Sequence, residues 1–168
     1  MATFGDFDEW YTRTRPVVVS AVSAMGAPHD LAVDAADEAF TRAAERWESV
    51  SVMTNRDGWA YVVARRVAVG QLRRRQVARR KFHVLKDSSP IEHHDPPPET
   101  HELRKLLEPL TEAQREAVVL RNYFGMTEPE IAEAIGASRG TVSSRLRSAY
   151  KVLRDATVMM MLLAMGER

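Results

Sequence analysis

Residues 127–150, TEPEIAEAIGASRGTVSSRLRSAY, constrain the fold of this chain more tightly than any other stretch. Thr127 is placed to cap a short helix with Pro129 in its first turn, where a missing amide proton costs little. Ile131, Ala132 and Ile135 are expected to face inward, Gly136 to end that helix and Ser138 to cap the next. Val142, Leu146, Ala149, Tyr150 and Leu153 then fall on one apolar stripe at helical spacing. Two helices crossing steeply through a short turn must approach closely, which explains small residues at 132 and 136. The stretch therefore reads as a helix-turn-helix. With the stripe buried, the outer face of the second helix shows Arg139, Gly140, Ser143, Ser144, Arg147 and Lys151. Short hydrogen-bonding groups near a helix N-terminus, followed by long cations, suit entry into a DNA major groove.

Charge along the chain is strongly segregated although the net charge is only +1. Residues 1–57 carry ten acids and five Lys/Arg; residues 58–86 carry nine Lys/Arg and no acid. Residues 87–110 return to six acids and two bases, and 138–154 again hold five cations without an acid. Ordinary solvated faces mix signs, so two all-basic blocks point to a polyanionic partner.

The rest of the chain also reads as helix. Helical periods are expected from about Asp6 to Met25 with an interruption at Pro16, from Pro28 to about Trp47, and from Trp59 to about Lys81. Residues 48–58 lose the period and carry turn formers at Asn55, Asp57 and Gly58. His83 to Thr100 contains Asp-Ser-Ser-Pro and three consecutive prolines, a composition that favours an extended spacer. Further helices are expected over Glu99–Glu108, Thr111–Tyr123, Thr127–Ile135 and Ser138 to about Leu153, with Thr111 and Gln114 fitting a capping box and Gly125 a stop. The expected fold class is all-α: two small helical domains, 1–82 and 101–168, joined by a Pro-rich linker over 83–100.

Several function classes drop out. There is no cysteine, hence no disulfide, thiolate metal site or thiol nucleophile. His93-His94 with Glu92 and Asp95 sit on the linker, where adjacent histidines rarely converge on one ion, so no metal is expected. The absence of a phosphate loop, HExxH or nucleophile elbow leads to the expectation of a non-enzyme without cofactor. The longest apolar run, Val158–Met165, is eight residues, too short to insert in a membrane, and no secretory signal opens the chain; a cytoplasmic protein is expected. That Met-rich run reads either as a tail on the domain's own core or as an adaptable partner face.

The stretch 107–154, LEPLTEAQREAVVLRNYFGMTEPEIAEAIGASRGTVSSRLRSAYKVLR, resembles region 4 of bacterial RNA polymerase sigma factors of the extracytoplasmic-function (ECF) class. LAVDAADEAFTRAAERW (31–47) and GWAYVVARRVAVGQLRRR (58–75) resemble region 2 of that class, in the same order. The resemblance implies core RNA polymerase and promoter DNA as partners, with an anti-sigma factor as a further candidate. It implies recognition of the minus-thirty-five element by Gly140, Thr141, Ser143, Ser144 and Arg147, with Arg121, Arg139, Arg145 and Lys151 on phosphates or flanking positions. It implies melting of the minus-ten element by region 2. Asn55, Arg56 and Asp57 would stand at the base-capturing loop with Trp59 as wall or core, and Arg65, Arg66, Arg73, Arg74 and Arg75 would grip the strand or the upstream duplex. Asp34, Asp37, Glu38 and Phe40 are the implied polymerase contacts. The chain departs from the family at Asp37, where Gln is frequent, at Arg66, where Asn is usual, and at Gly70, where Asp is common. Two other readings stay open: a sigma-like decoy that binds without initiating, and a dimeric helix-turn-helix regulator on a two-fold operator.

Overall fold

A computed structural model of the chain describes residues 4–82 and 98–166, with side-chain environments over 5–78 and 100–157. No strand occurs among the described residues. The helices are α1 (Phe4–Ala24), α2 (His29–Glu45), α3 (Trp47–Ser51), α4 (Arg56–Phe82), α5 (Pro98–Leu107), α6 (Glu112–Val118), α7 (Glu128–Ile135) and α8 (Arg139–Gly166), with a π-helical turn at Val119–Tyr123 continuing α6. The chain divides into two compact units, Met1–His101 and Glu102–Arg168. Most of the expected linker (83–97), with its His93-His94 pair, lies outside the described residues, as do the side chains of the Val158–Met165 run.

In the first unit α2 packs against both α1 and α4. Its buried stripe is largely alanine (Ala32, Ala35, Ala36, Ala39, Ala43), and α4 answers with Ala60, Ala64 and Ala68. Alanine has the highest helix propensity and lets two helix backbones approach closely. Bulk comes from α1, whose Trp10 packs on Phe40 and Trp47 with ring centroids 4.8 and 5.3 Å apart. Tyr61 is fully buried in the core. Helix α1 runs through Pro16 without ending there; the ring removes one backbone donor, and buried Val18, Ala21 and Val22 just beyond it hold the helix together. Residues 48–58 are not a single loop. A one-turn helix, α3, buries Val50, and α4 starts at Arg56, three residues before the point where its apolar period becomes visible.

In the second unit α8 packs on α6 and α7. The capping box of Thr111 and Gln114 forms as expected. The predicted helix through Tyr123 instead opens into the π turn, closed by the Phe124 N–H on the Val119 carbonyl at 3.2 Å. Wider turns of this kind hold an extra residue per turn, and here Val119, Leu120 and Phe124 are all buried. Gly125 follows at φ +65, a conformation a Cβ would strain. Thr100, the last residue of the expected linker, still belongs to the first unit: it is already in α5 and buried, its Oγ1 3.1 Å from Ser20 Oγ. Helix α8 continues past its expected end near Leu153 to Gly166.

Candidate nucleic-acid interface

Helices α7 and α8 form the helix-turn-helix. Thr127 caps α7, and Glu130 returns the bond: its Oε2 accepts both the Thr127 N–H and hydroxyl at 2.7 Å. These two bonds hold the Glu130 carboxyl below its ordinary range, the backbone amide contributing most. Gly136 ends α7 at φ +66, and the Ala137 N–H reaches back to the Ala132 carbonyl at 2.9 Å. Ser138 Oγ then accepts the Thr141 N–H at 3.1 Å and lies 2.9 Å from the Thr141 hydroxyl, which fixes the start of α8.

Val142, Leu146 and Ala149 are buried beneath α8, while Gly140, Ser144, Arg147 and Lys151 are exposed on the opposite side. Arg139 and Thr141 are exposed at the helix start; Ser143 and Arg145 are half-buried on its flanks. Arg121, in the π turn, is exposed, with one guanidinium nitrogen on the Met126 carbonyl at 3.0 Å. One expectation is corrected. Tyr150 does not join the apolar stripe: it is 42% exposed, and its hydroxyl accepts from Asn122 Nδ2 at 3.0 Å. A polar tip lets tyrosine sit at a core margin, where periodicity alone counts it as apolar. Arg154 extends the cationic face one turn beyond Lys151; its spacing from Arg147 and Lys151 already contained that signal.

In the first unit the sequence-derived residues separate into three groups. Arg66, Arg73 and Arg74 are exposed and share one side of α4 with Gly70. Across a groove of about 740 Å³ Arg66 and Arg74 meet Asp34, Glu38 and Arg42 of α2, so two of the cations expected to hold DNA and two of the acids expected to meet polymerase line one depression. Glu38 also pairs with Arg42 one turn on, at 2.9 Å.

The second group is occupied within the unit. Arg75 lies 3.4 Å from the Asp30 carboxylate. Asp37 receives a two-pronged bond from Arg15, 2.5 and 2.9 Å, which holds the Arg15 guanidinium charged beyond its usual range against the opposing effect of burial. Asn55 accepts the Gly58 N–H at 2.8 Å and so caps α4. Arg56 and Asp57 turn toward α1, as described below, and Trp59 is half-buried.

The third group is core. Phe40 is 2% exposed and packs on Trp10 and Tyr11, which removes it from a docking surface. Arg65 is 9% exposed, which removes it from an outward strand grip. On a helix with two packed neighbours, adjacent arginines 65 and 66 point about 100° apart, so one turns in as the other turns out. Among the described residues no helix is long and apolar enough to cross a membrane, and no cluster of three His, Asp or Glu could hold a metal.

An all-helical chain carrying a capped helix-turn-helix with a cationic outer face has the form of a DNA-binding transcription factor. Residues 100–153 match the family model for sigma-70 region 4. The chain is 35% identical over 159 residues to the RNA polymerase sigma-E factor of Streptomyces coelicolor, covering 91% of this chain and 86% of the relative. It is 30% identical over 103 residues to the ECF RNA polymerase sigma factor SigK of Mycolicibacterium vanbaalenii, covering 57% of this chain and 53% of that one. The fold is shared with the sigma factor RpoE of Bartonella quintana, solved in complex with the anti-sigma factor NepR, at TM-score 0.67 and 22% identity, over 89% of this chain and 95% of that one. The chain belongs to the RNA polymerase sigma factors of the ECF class, which are promoter-specific transcription initiation factors.

Proposed function

We propose that α8 enters the major groove of the minus-thirty-five element with its Gly140, Ser144, Arg147 and Lys151 face. In the same act of initiation the first unit engages core polymerase through Asp34 and Glu38 of α2 and melted minus-ten DNA through the turn before α4. Arg66, Arg73 and Arg74 hold the strand by its phosphates, and bases meet the turn at Val52–Asn55. The observation that carries this reading is the cationic outer face of a helix whose start is fixed by Ser138, in a chain that matches region 4 over 100–153. Helix-turn-helix proteins place such a helix with its N-terminal residues at base edges and its cations on phosphates. No step requires chemistry from the chain itself: polymerase makes the RNA, and this protein supplies promoter choice, from the cytoplasm. The RpoE relative crystallised with an anti-sigma factor, and the proposal includes an anti-sigma partner for this chain.

Runoff transcription with core polymerase on a pooled promoter library tests the reading. Transcripts that start at a fixed distance downstream of a shared bipartite motif, and only when this protein is added, are the expected result. Tight polymerase binding without transcripts identifies a decoy. Specific duplex binding without polymerase binding identifies a conventional regulator.

A further inference from the structure

The beginning of α4 is clasped to α1 by side chains that meet between the two helices, with Trp10 and Thr14 buried on the α1 side. Trp10 Nε1 donates to Asp57 Oδ1 at 2.5 Å, and the Thr14 hydroxyl lies 3.5 Å from the same oxygen. Arg13 reaches the other oxygen at 3.6 Å. The neighbouring Arg56 sets its guanidinium 5.6 Å from the ring centroids of both Trp10 and Trp47, so it joins α4 to α1 and α3 together. Between the end of α3 and this clasp lie only Val52 to Asn55. Val52 is 81% exposed, so burial does not hold the turn in place. It is anchored by buried Val50 and the Met53 N–H on the Val50 carbonyl on one side, and by the Asn55 cap and the Asp57–Trp10 bond on the other.

We infer that Asp57 and Arg56 are positioning residues for the Val52–Asn55 turn rather than contacts to DNA. The inference rests on the proposed engagement of that turn with melted promoter DNA. An indole N–H and a hydroxyl meet one Asp57 oxygen, Arg13 lies near the other, and the Arg56 cation stands against two indoles. What these residues present to a base is a backbone held still, and a preformed turn binds without the cost of ordering it.

Trp10 gives a clean test because it is 1% exposed and cannot touch DNA. Polymerase loaded with this protein is titrated with a single-stranded oligonucleotide carrying the start-proximal half of the motif recovered from the promoter library, and with its scrambled version. The quantity read is the preference for the first over the second. Loss of overall stability lowers both affinities together and leaves that ratio unchanged. Asp57→Ala is expected to reduce the preference about tenfold, as loss of a hydrogen bond to a charged group does. Trp10→Phe, which keeps a ring and removes the N–H, is expected to reduce it equally, and the double variant no further. Asp57→Asn keeps an acceptor for the indole and is expected to retain most of the preference. Loss in Asp57→Ala with none in Trp10→Phe makes Asp57 a direct base contact and overturns the inference, as do additive losses or no loss in either. Where Trp10→Phe lowers helix content, Thr14→Val takes its place. A wild-type complex with no preference sinks the proposed engagement of the turn, before any variant is compared.

Discussion

Arg147 and Lys151 stand one turn apart on the exposed side of α8, yet they are assigned different work. Arg147→Ala is expected to cost about 1–3 kcal/mol on the matched duplex and to relax selectivity at one base position. Lys151→Ala is expected to weaken matched and scrambled duplexes alike and to reduce the slope of affinity against salt by about one ion. Binding titrations at several salt concentrations separate the two; equal loss on both duplexes for Arg147→Ala moves it to a phosphate. Glu130 makes a prediction in pH. Its carboxyl is held below the ordinary 4.5 by the Thr127 amide and hydroxyl. The unfolded chain therefore takes up its proton first, so the capping bond contributes fully above about 4.5 and is lost as pH falls through the lowered folded value. The stability gap between the wild type and Glu130→Gln should shrink as pH falls below about 4.5 in denaturant titrations. A constant gap refutes the bond. At this scale the outward face of α8 was legible from spacing, because one packed side defines the opposite one. The inward turn of Arg65 and the pairing of Asp37 with Arg15 were not, since each depends on a neighbour distant in the chain.

Helix ends behave differently from helix middles. Gly136 holds φ +66, so Gly136→Ala is expected to destabilise the second unit by about 1–2 kcal/mol, as forcing a side chain into a left-handed conformation does. Gly70 is the opposite case. It sits inside α4 with ordinary backbone, and a Cβ there meets nothing within 4 Å. Gly70→Ala should stabilise the first unit by up to about 1 kcal/mol through helix propensity. Calorimetry on the two variants checks both signs, and a destabilising Gly70→Ala would show that the position serves something other than the helix. The capping residues Thr111, Thr127 and Ser138 were readable because capping is local chemistry. The π turn, the short α3 and the early start of α4 were not. Each exists to bring a buried side chain or an Asp57 anchor to a partner elsewhere in its unit.

At the scale of the whole molecule the chain divides into two compact units, and Gly70 and Gly136 fall in different ones. The stabilities of Gly70→Ala and Gly136→Ala should therefore add within about 0.5 kcal/mol in the double variant. A larger coupling term would place the two cores in one cooperative unit. Sequence by itself determined the helical class, the helix-turn-helix, its caps and the two basic blocks. All of these follow from period, from turn chemistry and from charge along a short stretch of chain. Only the tertiary structure decided which charges remain outward. Arg66, Arg73 and Arg74 stay exposed while Arg65 turns inward, and Asp34 is exposed while Asp37 pairs with Arg15 of α1 and Glu38 with Arg42 of its own helix. The physical reason is that a helix has one period but two packed neighbours, and the second neighbour is chosen by residues far away in the chain.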